Sequence, residues 1–229
     1  MNNNQLRVAI MQPYFSPYAG YFRLFAAVDI FVILDCVQFP RRGWVHRNQF
    51  TKKNDSLDWL TLPIKKCSQQ TVIKDLEFDS LYKLSEFHES IVKFNLSTLM
   101  SEAEIADTFD FTIPVIDFLE KSLTIASEKL DLRPRIIRSS SFSLPRSIKG
   151  EDRILEILKL VNATQYINLS GGLNLYSYNV FRQNGIDLKI LTPFLGNKTG
   201  IIERLKVTPY SEIRFEIKDA TKFLNLEVI

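Results

Sequence analysis

The sequence has little with which to staple a fold or bind a metal. Among 229 residues there are two cysteines, Cys36 and Cys67, and two histidines, His46 and His88. The cysteines lie far apart and form neither a CxxC pair nor a metal-ligand spacing, which excludes a zinc ribbon and a disulfide framework. The expected setting is a reducing, cytoplasmic one, with no structural metal and no cofactor. No apolar run reaches the roughly 18 residues of a membrane span, and residues 1–5 form a polar start without the basic and apolar regions of a secretion signal. Repeats and low-complexity tracts are absent. Charge of one sign is also missing: 29 basic against 26 acidic residues leave +3, too slight to point to nucleic acid by itself. The 45% of apolar residues is ordinary for a globular chain and enough to build a core without staples.

What is present is an alternation of strand-type and helix-type segments. Arg7–Met11 (RVAIM) predicts a buried strand, and Pro13 and Pro17 break the chain after it. Residues 20–28 (GYFRLFAAV) place Phe22, Phe25 and Ala26 on one helical face. Asp29 ends that helix, and residues 30–34 (IFVIL) form a continuous apolar run, so the first 35 residues read as a βαβ unit of a parallel sheet. Residues 59–64 (WLTLPI) and 72–78 (VIKDLEF) predict two more strands around a polar connection. Residues 81–100 and 107–130 predict helices, the second carrying Phe111, Val115, Phe118 and Leu119 and beginning near Pro114. A strand at 135–139, a loop at 140–149, an amphipathic helix at 151–161 and a strand at 165–169 follow. The strand runs into Ser170, Gly171 and Gly172. A helix at 173–184 capped by Gly185 and a strand at 187–191 complete the series. The expectation is one α/β domain over residues 1–229, with a Rossmann-like parallel sheet and a mainly helical insertion near 80–130.

Three segments fall at the carboxyl ends of these strands, where a parallel sheet builds its ligand site. Residues 12–21 (QPYFSPYAGY) open a helix, whose first amides attract anions. Gln12, Tyr14, Tyr18, Gly20 and Tyr21 are candidate substrate contacts there, Gly20 by allowing close backbone approach. The alternative is a Pro-rich turn whose aromatics seal the core. Residues 35–48 (DCVQFPRRGWVHRN) mix Arg41, Arg42 and Arg47, planar donors suited to phosphate or carboxylate, with Trp44, a flat face for a sugar or base. Gln38 and Asn48 offer paired donors and acceptors. Lys65, with Lys52, Lys53 and Lys66, extends the basic stretch, and a solvated basic loop is the alternative. Asp35 is the candidate catalytic base or hydroxyl ligand. Cys36 reads as a structural thiol, because no His-Asn partner pattern accompanies it. Ser170, Gly171 and Gly172, with Tyr176, offer backbone amides to a second anion, or else form an ordinary glycine turn.

By position, the 12–21 loop resembles the His-containing signature loop of nucleotidylyltransferases, which implies a sheet of nucleotidylyltransferase-like type. Tyr18 and Tyr21 stand roughly where the histidines would be, a departure from adenylyl transfer by the usual route. A longer resemblance is carried by MQPYFSPYAGYFRLF (11–25), VDIFVILDCVQFPRRGWVHRNQF (28–50) and WLTLPI (59–64). The sequence resembles the WbqC-like family of bacterial proteins, whose members read MQPYFFPYIGYFQLI, VDVFVIYDDVQYIKRGWINRNRI and WLTVPV. It departs at Cys36, often a second Asp, and at His46, often Asn, so a mechanism needing paired carboxylates is weakened. The resemblance implies an enzyme of bacterial surface-polysaccharide (O-antigen) biosynthesis that modifies a nucleotide-linked amino sugar by N-acyl or aminoacyl (glycyl-type) transfer. Its partners would be the nucleotide-linked sugar and an acyl or aminoacyl donor, and the clustered lysines are consistent with a tRNA-borne donor. In that scheme the three arginines hold phosphate, Trp44 and the tyrosines pack on sugar or base, and Asp35 takes a proton from the attacking amine. Two alternatives stay open: nucleotidyl transfer from a magnesium-bound nucleoside triphosphate, and non-catalytic binding of a sugar nucleotide or an assembly partner.

Overall fold

Ile30–Ile33 is buried residue by residue, with alternate side chains facing opposite ways, a pattern that suits the interior of a sheet covered on both faces. The structure, a computed structural model, describes residues 5–79 and 81–225; the polar start at 1–4 lies outside them. Five strands pair in parallel: β1 (Arg7–Met11), β2 (Ile30–Ile33), β5 (Arg135–Arg138), β6 (Gln165–Asn168) and β7 (Asp187–Ile190). Their order is β5-β2-β1-β6-β7, the Rossmann-like arrangement the strand-helix alternation predicts. In β1 and β2, Val8, Ile10, Ile30 and Val32 join one apolar cluster, with α6 (Gly150–Leu160) and α7 (Tyr178–Gln183). Ala9, Phe31 and Ile33 join the other, with α1 (Ala19–Ala27), α5 (Val115–Lys129), α8 (Ile201–Val207) and α9 (Tyr210–Ala220). Period two in the strands therefore produces helices on both faces. Among the described residues no helix is long and apolar enough to cross a membrane.

Between β2 and β5 the chain leaves the sheet and returns. It first forms an antiparallel hairpin, β3 (Arg47–Thr51) with β4 (Leu57–Thr61). Then come α2 (Leu81–Ile91), α3 (Leu96–Leu99), α4 (Glu102–Thr108) and α5. Here the structure corrects several boundaries. The strand expected at 59–64 is β4, ending at Thr61, and its partner lies in the basic segment, not at 72–78. Residues 72–78 hold one 3₁₀ turn, Ile73–Asp75, and isolated bridges at Val72 and Phe78. Ile73 and Leu76 are buried while Lys74, Asp75 and Glu77 are exposed, a spacing of three that suits a turn. The amides of Ile73 and Lys74 go to the Val37 and Asp35 carbonyls, so no strand partner is needed.

The expected 81–100 helix breaks after Ile91, where Asn95 N turns to the Thr51 carbonyl. The helix expected to begin near Pro114 does so: Pro114 is the N-cap of α5, while the short α4, set off by a Ser101–Glu104 capping box, lies mostly between the two expected helices. The 173–184 helix starts only at Tyr178, after a 3₁₀ turn at Ser170–Gly172, and ends with Gly185 at φ +74° as its cap.

Candidate functional site

β1 leads on to β2 and β5 on one side of the sheet, and β6 and β7 lie on the other. The chain order reverses between β1 and β6, so the loops after these strands part and leave a crevice. A cleft of about 810 Å³ opens there. From the first loop it is lined by Gln12, Tyr14 and Tyr18, from the second segment by Trp44 and Asn48, and after β6 by Ser170, Gly171, Gly172 and Tyr176. Nine of the residues singled out from the sequence thus meet around one cavity.

The first loop is held from several directions. Phe15 N donates to the Trp44 carbonyl at 2.9 Å, and the Phe15 ring is buried against Phe50, Phe109 and Phe118. Ser16 adopts φ +47°, a left-handed conformation that a non-glycine residue adopts at a cost of about 1–3 kcal/mol. Three bonds over-determine it: Ile202 N donates to Ser16 Oγ at 3.1 Å, Ile201 N to the Pro17 carbonyl at 2.9 Å, and Asn48 Nδ2 to the Ser16 carbonyl at 2.5 Å. Asn48 Nδ2 also donates to the Phe15 carbonyl at 3.1 Å, and Asn48 Oδ1 accepts from Gln49 N at 2.7 Å. Asn48 borders the cleft, but its amide is taken up by backbone. Tyr21 is fully buried; its hydroxyl donates to the Gln12 carbonyl at 2.8 Å and its ring lies 5.4 Å from that of Tyr14. A Cβ at Gly20 would stand 2.2 Å from the Tyr18 ring and 2.7 Å from the Phe194 ring, so close approach at Gly20 is by neighbouring rings. Burial raises the pKa of Tyr14 and Tyr18, and that of Tyr21 further still, keeping these phenols neutral.

The remaining expected residues lie elsewhere. Asp35 follows β2 and turns toward the end of β5. Its Oδ1 accepts from Ser139 Oγ and Ser140 N, both at 2.8 Å, and its Oδ2 from Ser140 Oγ at 2.6 Å. It is fully buried and does not line the cleft, being one strand away from the reversal point. Beside it Cys36 Sγ receives Arg153 Nη1 at 3.2 Å. Arg41 donates to the Cys67 carbonyl, Gln38 to the Gln69 carbonyl at 2.7 Å, and Lys65 pairs with Glu77 at 2.7 Å in the open. Arg42 is exposed in the turn before the hairpin. Arg47 alternates with Asn48 along β3, so it faces outward with Trp59: its guanidinium stacks 4.4 Å over that ring, which lies 5.3 Å from Trp44. None of these cations borders the cavity.

Other residues do border it. Gln49 and Leu57 come from the outer face of the hairpin, Asn168 from the end of β6, and Asn197, Lys198 and Thr199 from the loop before α8. Arg23, from α1, is the least legible of them. A cation within GYFRLFAAV reads as an interruption of an apolar helix, and its near-complete burial emerges only in the fold. The cleft floor carries a polar chain in which Asn168 Nδ2 donates to the Tyr166 hydroxyl at 3.2 Å, and that hydroxyl lies 3.4 Å from Tyr176. A Cβ on Gly172 would stand 2.4 Å from Asn168 Nδ2, so the glycine lets the turn close over this amide. Among the described lining residues there is no carboxylate and no imidazole, and no three His, Cys, Asp or Glu side chains gather as a metal site would require.

Residues 12–195, most of the chain and all three segments of the cleft wall identified from the sequence, match the WbqC-like protein family. The chain belongs to the WbqC-like family. A relative in sequence is the uncharacterized protein Rv1507c of Mycobacterium tuberculosis (strain ATCC 25618 / H37Rv), 36% identical over 102 residues. That alignment takes in 44% of this chain and 43% of the relative, so the chain spans less than half the length of the protein it matches. No solved structure matches this WbqC-like chain.

Proposed function

We propose that the cleft binds a nucleotide-linked amino sugar and that the chain transfers an acyl or aminoacyl group to the sugar's amine, a step of bacterial surface-polysaccharide (O-antigen) biosynthesis. The observation that carries the reading is the cleft's composition. At about 810 Å³ it lies within the range of small-ligand sites, at the switch point of the sheet, with aromatic rings on its walls and cations but no carboxylate in its lining. Trp44, Tyr14 and Tyr18 offer stacking faces to sugar or base, and Gln12 and the Ser170–Gly172 turn offer polar groups to the sugar. In the reaction the amine forms a new C–N bond to the donor's carbonyl carbon while the donor's C–O or C–S bond breaks, and the amine proton leaves with solvent or the departing group. Asp35, held by Ser139 and Ser140, fixes the end of β2 in this reading and does not touch substrate. The rate gain is assigned to positioning and to cationic stabilisation of developing charge.

The same lack of a carboxylate or imidazole in the lining favours one other reading, a sugar-nucleotide-binding protein without turnover. The deciding experiment incubates the protein with UDP-, dTDP- and GDP-linked amino sugars and with acyl-coenzyme A or aminoacyl-tRNA, and follows the sugar by mass spectrometry. A mass gain on the amine, diminished in Trp44→Ala, is the expected result. Tight binding without any mass gain would establish the binder instead, and absence of binding by every sugar nucleotide would overturn both.

A further inference from the structure

We infer that Arg23 and Lys198 form a phosphate subsite of the cleft, built to hold the diphosphate of the ligand; the inference rests on the nucleotide-sugar reading above. Arg23 is 1% exposed, in a helix with eight of its nine residues buried. Removing a guanidinium from water is expensive unless an anion or several dipoles meet it. The other deeply buried arginines are held at sites that do not border the cleft. Arg204 pairs with Glu216 at 2.5 Å, and Arg153 is held by two carbonyls and Cys36 Sγ. Arg23 has no carboxylate partner among the described residues.

Its Nε donates to the Gly20 carbonyl at 3.2 Å, and its Nη1 donates to the carbonyls of Thr192 at 2.9 Å and Ala220 at 3.0 Å. The guanidinium carbon lies 5.2 Å from the centre of the Phe194 ring. Three carbonyls from three parts of the chain thus fix the plane of the group, and Arg23 still borders the cavity, where its remaining donors are available to a ligand. Burial lowers its pKa, yet a guanidinium keeps its proton in proteins, so the positive charge stays.

The loop that follows Phe194 is pinned as well. Asn197 N donates to Glu216 Oε1 at 3.1 Å and Thr199 N to Asn197 Oδ1 at 2.8 Å. Lys198 stands between these anchored residues, exposed, bordering the same cavity and without a carboxylate partner among the described residues. One immobile cation and one adjustable cation on an acid-free lining match a diphosphate, with two charged groups, better than a neutral sugar.

The test measures inorganic pyrophosphate binding by calorimetry, together with its competition against whichever UDP-, dTDP- or GDP-linked sugar binds. Wild type is compared with Lys198→Glu and Arg23→Lys. Lys198→Glu changes an exposed loop and is expected to fold, with pyrophosphate held about tenfold more weakly or worse. Arg23→Lys keeps the charge but not the geometry that meets three carbonyls; if it does not fold, Lys198→Glu alone decides. Pyrophosphate binding that displaces the sugar nucleotide and weakens in Lys198→Glu supports the subsite. If pyrophosphate binds and weakens in that variant while no sugar nucleotide binds, the subsite stands and the nucleotide-sugar reading falls. If sugar nucleotides bind equally well in Lys198→Glu and pyrophosphate does not compete, the subsite is overturned and the broader reading survives.

Discussion

Asn48 gives the sharpest contrast between a residue that contacts a ligand and one that shapes the site. It is 4% exposed, and its amide joins three backbone groups: the carbonyls of Phe15 and Ser16 and the Gln49 N–H. Asn48→Ala leaves these groups without their partner and releases Ser16, held at φ +47°. Each buried polar group left unpaired costs about 1–3 kcal/mol. Because Asn48 borders the cleft, water can reach part of the gap, so the lower half of the summed range applies, about 3–6 kcal/mol. For a chain of this length about 1 kcal/mol shifts Tm by roughly 2–4 °C, which predicts a fall of about 6–24 °C. Asn48→Asp sets a carboxylate oxygen against two carbonyls and is expected to be less stable than the alanine variant at neutral pH. Thermal melting by circular dichroism, alongside sugar-nucleotide binding by calorimetry, reads both effects. If Asn48→Ala melted within about a degree of wild type while losing ligand, Asn48 would be a ligand contact and the strut argument would be wrong.

Three further outcomes are expected. Burial and the neighbouring Arg47 lower the His46 pKa from 6.5 to about 4, so the imidazole is neutral in the fold and its contribution is fully present above pH 6.5. That contribution is lost as pH falls from 6.5 toward 4, by about 3 kcal/mol at most, and urea titrations of His46→Gln should show the slope gone from this window. Gly172→Ala forces the Asn168 amide off the Tyr166 hydroxyl and should lower stability by about 1–3 kcal/mol, whereas Gly171→Ala, with open space around its Cβ, should change it by less than about 0.5; equal urea midpoints for the two variants would contradict the clash. Both tryptophans of the chain sit in the tilted Trp44–Trp59 pair, and Trp44 lines the cleft, so sugar-nucleotide titration should change the intrinsic fluorescence, and Trp44→Phe should remove most of the change.

The sheet was legible because Arg7–Met11 and Ile30–Ile33 are short apolar runs joined by a helix-length segment, and few arrangements bury both faces of such strands. The hairpin strand Arg47–Thr51 was not, since four of its five side chains, Arg47, Asn48, Gln49 and Thr51, are polar and strand pairing there is decided by the partner Leu57–Thr61. Nine candidate contacts could be placed around one cleft because loops at the carboxyl ends of parallel strands converge at a switch point wherever the chain order reverses. The fate of the arginines was decided in three dimensions. Local composition made Arg41, Arg42 and Arg47 conspicuous, but Arg41 is engaged by the Cys67 carbonyl, Arg47 by the Arg42 carbonyl and the Trp59 ring, and none of the three lines the cavity. Arg23 was inconspicuous, and its position at the cleft depends on carbonyls 169 and 197 residues distant in sequence. The sequence alone determined which segments become the strands of the parallel sheet and which loops gather at their ends, because side-chain periodicity is a local property. Which cation meets the ligand was decided only by the tertiary structure, because burial and the convergence of distant carbonyls are properties of the folded chain.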